Sequence, residues 1–337
     1  MTSTHPQTAP FGSILAPVMA TATYRDGAWS VPQYGPVAPL QIHPAAHVLH
    51  YASECFEGFK AYKWADGSVH VFRLDRHIAR MCQSARSLVL PDLDPALLES
   101  MVLSVIDQNR TSVPEAPGAL YLRPMLLGTS PNIGAAATPS TEALLAVLAS
   151  PVWDYFAGGV RPLKIYVEEH ATRCASHLGV VKTGGNYAAA LGPTLAARKS
   201  YQADQVLFAP GGEVQETGAA NFLLIRDGHI LTRSLDAAFL HGVTRDSMLT
   251  MAADLGYRIE ERVFSVAEML DWVKDGEAAL SGTAAVLSGV GTLVREGGVT
   301  TTVGSGDVGP NTLRLRAALV AIQQGLSPDR YGWLRAV

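Results

Sequence analysis

The stretch GVVKTGGNY, residues 179–187, places a lysine between an apolar run and two glycines. Gly184 and Gly185 would let the backbone approach a bulky ligand closely, because glycine has no side chain in the way. A lysine such as Lys182 can form a Schiff base with an aldehyde when it is held deprotonated, and Tyr187 could hydrogen-bond a phenolate oxygen. Taken alone, the stretch favours the ordinary alternatives, an exposed loop lysine and a core tyrosine.

A carboxylate follows in GEVQETGAANFLLI, residues 212–225, where Glu216 lies between two apolar runs. Such a glutamate is either exposed at a strand edge or buried, and a buried carboxylate needs a cationic partner. A protonated pyridine nitrogen is one such partner. The sequence leaves both interpretations of Glu216 open.

Two turns and one arginine are candidates for binding a phosphate. HGVTRDS, residues 241–247, predicts a helix start at Gly242, whose N–H groups and dipole suit an anion. SGTAAVLSG, residues 281–289, predicts a second hydroxyl-rich turn, and Arg80 projects from an early predicted helix. Each feature alone also fits a plain structural role: a capped helix, a tight turn or a solvated arginine. Together with the lysine, tyrosine and glutamate above, they form the set of contacts that pyridoxal 5′-phosphate (PLP) requires.

The composition is that of a folded chain of about two domains. Of the 337 residues, 48% are hydrophobic and 17% are charged, and the net charge is −4, which argues against disorder or a coiled coil. No basic run suggests nucleic-acid binding, and no stretch of about 18 apolar residues predicts a membrane span. The N-terminal stretch carries no evident signal peptide, and three widely spaced cysteines predict reduced thiols in the cytoplasm.

The first part of the chain predicts a small N-terminal α/β domain over residues 1–150, preceded within it by a loosely ordered leader at 1–20. The predicted elements are strands at 68–74, 119–128 and 143–150 and helices at 76–90 and from Asp94-Pro95 onward. Asp94 is expected to cap its helix, because Asp is favoured at the N-cap and Pro at the first helical position.

Gly, Pro and aromatic residues without a clear period predict an interdomain loop at 151–160 and a larger C-terminal PLP-binding domain over 161–337. The predicted elements are strands in 163–169, 205–209, 212–216, 221–228 and 229–234 and helices in 186–200, 244–256, 265–276 and 309–325. Short strands interleaved with scattered helices indicate an α/β or α+β fold without the regular alternation of a Rossmann chain.

Seven stretches, in order and spacing, resemble the branched-chain amino acid aminotransferases, which are fold-type IV PLP enzymes. They are LHYASECFEGFKAY (49–62), FRLDRHIARMCQSARSL (72–88), YLRPMLLGTSPNIG (121–134), KTGGNYAAAL (182–191), ETGAANFLL (216–224), GVTRDS (242–247) and SGTAA (281–285). The resemblance runs from about residue 35 to the C-terminal GWL. It implies two α/β domains with the cofactor between them, the larger C-terminal one being a pseudo-barrel.

The resemblance also implies a role for each site residue. Lys182 would form the imine with PLP and shuttle the α-proton, Glu216 would pair with the pyridine nitrogen, and Tyr187 would contact the phenolic oxygen. The implied cofactor contacts besides these are Arg80, the Val243 and Thr244 backbone and Thr283 at the phosphate, and Leu240 against the ring. The implied substrate pocket consists of Tyr51, Phe56, Tyr121, Arg123, Tyr155, Thr283 and Ala284. No metal ligand is implied.

The implied reaction is the reversible ping-pong transfer of an amino group from L-leucine, L-isoleucine or L-valine to 2-oxoglutarate, which gives branched 2-oxo acids and L-glutamate. In this family Tyr51 and the 133–135 loop reach the neighbouring subunit's site, which implies a homodimer. The alternatives are a D-amino acid or amine transaminase, an aminodeoxychorismate lyase, or a PLP-binding protein without turnover. The HYASECFEGFKAY and YLRP blocks favour the branched-chain enzyme.

The sequence departs from the family pattern at three places. Ser-His stands at 176–177, where a glycine pair is usual, and Leu-His-Gly at 240–242 replaces Leu-Pro-Gly. Ala and Ser at 285 and 288 stand where some relatives carry a thiol switch. His241 is interpreted as a surface or phosphate-adjacent residue. These changes bear on loop geometry and substrate preference more than on cofactor binding.

Overall fold

The computed structural model describes residues 9–153 and 160–337, which divide into two compact units. The first unit holds the described residues up to 153 together with Val181–Gly184 and Ile322–Val337, and the second holds residues 160–180 and Gly185–Ala321. Part of the predicted interdomain loop, residues 154–159, lies outside the described residues. The predicted domain boundaries therefore stay a prediction.

A nine-stranded antiparallel sheet forms the frame of the first unit. Its strands are β1 (Val18–Arg25), β2 (Ala28–Trp29), β3 (Gln33–Pro36), β4 (Glu54–Phe56), β5 (Phe59–Lys63), β6 (Val69–Phe72), β7 (Ala119–Gly128), β8 (Ala143–Val152) and β17 (Leu334–Ala336). The order is β17-β6-β5-β7-β8-β1-β2, with β3 paired to β1 and β4 paired to β7. Side chains of β7 are buried at every second position, as expected for a strand with one face on a core.

Three helices belong to the first unit: α1 (His47–Tyr51), α2 (Leu74–Ser87) and α3 (Pro95–Gln108). The predicted cap of α3 is confirmed, since the Asp94 side chain accepts a hydrogen bond from Ala96 N–H at 2.9 Å. The apolar face of α2, including Met81, packs into the core with β7 residues such as Leu120. The same helix also buries three polar residues, His77, Arg80 and Ser84, which belong to the site described below.

A mixed eight-stranded sheet, curled into a half-barrel, forms the second unit. Its strands are β9 (Leu163–Glu168), β10 (Gln205–Phe208), β11 (Asn221–Arg226), β12 (His229–Thr232), β13 (Arg258–Glu261), β14 (Glu277–Gly282), β15 (Val286–Val294) and β16 (Thr300–Thr302). The order is β10-β9-β15-β14-β11-β12-β13, with β16 paired to β15. Four helices follow residue 180: α4 (Gly184–Tyr201), α5 (Val243–Asp254), α6 (Val266–Trp272) and α7 (Pro310–Gln323). The mixed α/β class predicted from the sequence is confirmed.

Two local predictions are wrong. Residues 212–216 form no strand, because the left-handed Gly211 and Gly212 turn the chain and leave only single bridges, such as Glu216 to Asn221. The leader predicted at 1–20 ends too late, since Ala16 is already buried and β1 begins at Val18. Residues 1–8 lie outside the described residues. Among the helices of the described ranges, none has the length and apolarity needed to cross a bilayer.

Candidate active site

Lys182 lies in a short turn whose backbone is fixed by α2 and β4. Its N–H donates to the Ser84 hydroxyl at 3.1 Å, and its carbonyl accepts from Phe56 N–H at 3.0 Å. The Nζ atom lies 5.0 Å from the centre of the Phe56 ring. Lys182 is half-buried, so the ordinary alternative of an exposed loop lysine is wrong. An amine held beside an aromatic ring on a fixed backbone is suited to covalent chemistry.

Arg80 is buried in an ion pair instead of being solvated. Its Nε donates to Glu57 Oε1 at 2.6 Å and one Nη donates to Oε2 at 2.9 Å, while His77 Nδ1 lies 2.8 Å from the same Oε2. Burial by itself raises the pKa of the Glu57 carboxyl, but Arg80 and His77 outweigh it and hold that pKa well below its ordinary value. Burial lowers the pKa of His77, so the neutral ring donates its Nδ1 proton to the carboxylate. Glu57 therefore fixes the orientation of the Arg80 guanidinium.

Replacing this arginine with a neutral side chain should destabilise the protein. Arg80→Met leaves the fully buried Glu57 without its main cation, and such a loss costs about 3–5 kcal/mol of unfolding free energy. Urea denaturation without added cofactor at pH 7 measures the change. Arg86→Met, an exposed arginine on the same helix, is the control and should change the free energy by less than about 0.5 kcal/mol.

The same pair gives the penalty a pH dependence. The lowered pKa of Glu57 means that its contribution to stability is complete above its ordinary pKa of about 4.3 and is lost as the pH falls. The difference between wild type and Arg80→Met should therefore shrink below about pH 4. A difference that is small at pH 7, or that grows on acidification, would contradict the assignment of an ionised Glu57.

Three of the predicted substrate residues lie together on β4 and β7. The Arg123 guanidinium carbon lies 4.7 Å from the Phe56 ring centre and 5.4 Å from that of Tyr121, and an Arg123 Nη donates to the Tyr121 hydroxyl at 3.0 Å. A Cβ on Gly58 would clash with the Tyr121 hydroxyl, so only glycine leaves room for this tyrosine. The result is an aromatic wall with one embedded cation.

The remaining first-unit residues are placed differently. The Tyr51 hydroxyl donates to the Ile133 carbonyl at 2.5 Å, so its described contact leads to the 133–135 loop. Ile133 is 67% exposed. Tyr155 lies outside the described residues.

Glu216 is buried in the second unit, so its exposed alternative is wrong. It is 3% exposed, and its Oε1 lies 2.8 Å from Arg173 Nη1 and accepts from Leu240 N–H at 2.9 Å. Its Oε2 accepts from Asn221 Nδ2 at 3.0 Å. The Arg173 guanidinium also lies 5.8 Å from the Tyr187 ring centre. One buried arginine thus adjoins both residues predicted to contact polar atoms of the cofactor ring.

The predicted phosphate turns are both present as turns in the second unit. Helix α5 begins at Val243 with Gly242 as its N-cap and without a side-chain cap, so the alternative of a threonine-capped helix is wrong. A Cβ on Gly242 would clash with the Asn221 side-chain oxygen. Thr283 and Ala284 lie in the turn between β14 and β15. His241 has a structural contact within its own loop, since its Nε2 lies 2.9 Å from the Asp236 carbonyl.

Comparison with known proteins decides the family. A family model described as amino-transferase class IV matches residues 54–291. The chain belongs to the class IV aminotransferases. It is 40% identical to a probable branched-chain-amino-acid aminotransferase of Streptomyces coelicolor, over 97% of this chain and 92% of that one. It is 37% identical to the branched-chain-amino-acid aminotransferase of Mycobacterium tuberculosis, over 96% and 91%.

Solved structures of the same kind of enzyme share the fold of this class IV aminotransferase. A branched-chain amino acid aminotransferase from the organism abbreviated T.th., solved with pyridoxamine 5′-phosphate, gives a TM-score of 0.75 at 27% identity, covering 93% of this chain and 97% of that one. The Escherichia coli enzyme gives a TM-score of 0.71 at 25% identity, covering 94% and 98%. The fold-type IV assignment is confirmed.

Sequence reasoning does not single out Glu57, Asn221 and Arg173, although each holds a predicted site residue in this aminotransferase. Glu57 has a local signal, because it is a charge inside the apolar run CFEGF and a buried charge requires a partner. Asn221 also has one, since it starts a strand just after the ETGAA turn. Arg173 has none, because its partner Glu216 is distant in the chain.

Proposed function

We propose that this chain is a PLP-dependent branched-chain amino acid aminotransferase. It transfers the amino group of L-leucine, L-isoleucine or L-valine to 2-oxoglutarate in a reversible ping-pong reaction. The observation that carries the proposal is the buried carboxylate of Glu216, which has donors on both oxygens. A carboxylate fixed in this way suits the protonated nitrogen of a pyridine ring.

The donor set of the chain fits PLP. Glu216 provides the anion for the ring nitrogen, and Tyr187 beside Arg173 provides a hydroxyl for the phenolic oxygen. The uncapped N-terminus of α5 at Val243 and Thr244 provides backbone N–H groups, which suit a phosphate. We assign Arg80 and Thr283 to the same phosphate and Leu240 to the face of the ring.

Within the proposed reaction, each residue has a defined task. Bound PLP supplies an aldehyde that joins an amine and a ring that accepts electrons from the substrate Cα. Lys182 Nζ removes the proton from the substrate Cα and later returns it at the aldehyde carbon. Glu216 keeps a proton on the pyridine nitrogen by its negative charge. Arg80, held by Glu57, orients the phosphate and so the whole ring.

The substrate pocket must accept an aliphatic side chain in one half-reaction and the glutamate carboxylate in the other. Phe56 and Tyr121 provide apolar surface for the first, and Arg123 between them provides a cation for the second. We assign Tyr51, Tyr155, Thr283 and Ala284 to the same pocket.

A panel of amino donors tests this proposal. With 2-oxoglutarate as acceptor, kcat/KM for L-leucine, L-isoleucine and L-valine should agree within about 10–100-fold, because one methylene is worth only about 1–3 kcal/mol. D-alanine and 1-phenylethylamine should be at least about 100-fold poorer, because neither places its groups on both the aromatic wall and Arg123. Faster turnover of either would favour the D-amino acid or amine transaminases.

We also propose a cytoplasmic homodimer as the working unit, without a membrane or nucleic-acid partner. The hydrogen bond from Tyr51 to Ile133 supports the dimer, because it joins the two segments expected to reach a neighbouring subunit and leaves Leu49 and Ile133 exposed. Three free thiols, Cys55, Cys82 and Cys174, support a reducing compartment.

A further inference from the structure

Strand β4 contacts the Lys182 turn with more than its backbone. We propose that Glu54, at the start of β4, is a positioning residue that fixes the turn carrying Lys182. The inference rests on the proposed function, because it matters only if Lys182 reacts. Glu54 has no role in the reaction described above.

The contacts of Glu54 lie on the two residues that follow the lysine. Its Oε1 accepts from the Thr183 hydroxyl at 3.1 Å and from Gly184 N–H in a short hydrogen bond. The same strand donates Phe56 N–H to the Lys182 carbonyl. The backbone of the turn is therefore held on both sides of the Lys182 Cα, and the Glu54 carboxylate forms the contact on its C-terminal side.

Gly184 is shaped to receive this carboxylate. A Cβ at residue 184 would lie 2.6 Å from Glu54 Oε1, whereas a Cβ at residue 185 would meet nothing within 4 Å. The close approach that the first glycine permits is thus an approach of Glu54. This explains Gly184 without a ligand, contrary to the expectation from the sequence.

The charge of Glu54 strengthens the contact. The carboxylate is half-buried, and burial raises its pKa while Gly184, Thr183 and Arg123 oppose that rise. Hydrogen bonds to an ionised acceptor are shorter and stronger than neutral ones. Losing them would let the turn shift, and a misplacement of about 1 Å at a reacting group can cost about 100-fold in rate.

The test measures attachment of the cofactor separately from turnover. Apoenzyme is mixed with PLP, and the absorbance change on linkage to Lys182 gives a rate. Glu54→Ala should slow this rate and kcat by roughly 10–100-fold, with KM for L-leucine changed by less than about 3-fold. Glu54→Gln keeps an acceptor oxygen and should recover both values to within about 5-fold of wild type. Glu115→Gln, which removes an exposed carboxylate paired with Lys63, is the matched control.

Thr183→Val keeps the shape of a buried residue and removes one donor, so it should give an intermediate rate even if Glu54→Ala fails to fold. Wild-type rates in Glu54→Ala or in Thr183→Val would overturn the inference. Equal slowing in Glu54→Ala and Glu54→Gln would also overturn it, since charge and not position would then matter. A wild-type enzyme that forms no link to Lys182 would overturn the proposed function as well.

Discussion

Lys182→Ala is expected to lower kcat for L-leucine with 2-oxoglutarate by about 10⁴-fold or more while leaving the fold intact. The amine is the proposed carrier of the cofactor and of the Cα proton, and no other group replaces both roles. The fold should survive because the contacts of residue 182 with Ser84 and Phe56 include its backbone N–H and C=O. Steady-state kinetics and urea denaturation measure the two effects.

A lysine on helix α4 provides the control for this substitution. Lys199 is exposed, so Lys199→Ala should leave kcat within about 2-fold, as expected for a surface change. Turnover by Lys182→Ala above about 1% of wild type would contradict the role of the lysine, because proton transfer alone contributes about 10²–10⁴-fold.

Glu216→Gln is expected to lower kcat by about 10²–10³-fold with a much smaller change in KM. The amide can still accept from Leu240 N–H, so the geometry is largely kept, but the negative charge next to the pyridine nitrogen is lost. Removing one preorganised electrostatic group typically has an effect of this size. The variant also leaves Arg173 buried without its carboxylate, which should lower the unfolding free energy by about 3–5 kcal/mol.

The matched control for Glu216 is a glutamate three positions earlier. Glu213 has a 43% exposed side chain paired with Arg233, so Glu213→Gln should change neither kcat nor stability strongly. A Glu216→Gln enzyme with a normal kcat and a raised KM would contradict the account, because the carboxylate would then act in binding and not in catalysis.

Local features of the fold were predictable where the signal is local. The cap at Asp94 and the ten residues of β7 follow from residue type and alternation within one segment. The pairing of β17 with β6 is not local, because it joins the C-terminus to a strand near residue 70. The grouping of residues 181–184 with the first unit is likewise set by contacts with distant strands.

The site divides in the same way. Lys182 and Glu216 stand out from the sequence because a lysine before two glycines and a glutamate between apolar runs both require an explanation. Arg80 does not, because the sequence cannot show that the Glu57 carboxylate lies 2.6 Å from its Nε. Its ordinary interpretation as a solvated arginine fails for that reason.

Reduction of the holoenzyme with borohydride, followed by peptide mapping, tests the central claim most directly. Borohydride makes the link between PLP and a lysine permanent, and the pyridoxyl mass then marks one peptide. We expect the mark on Lys182, with Lys182→Ala unmarked. A mark on another lysine, or on none, would contradict the account.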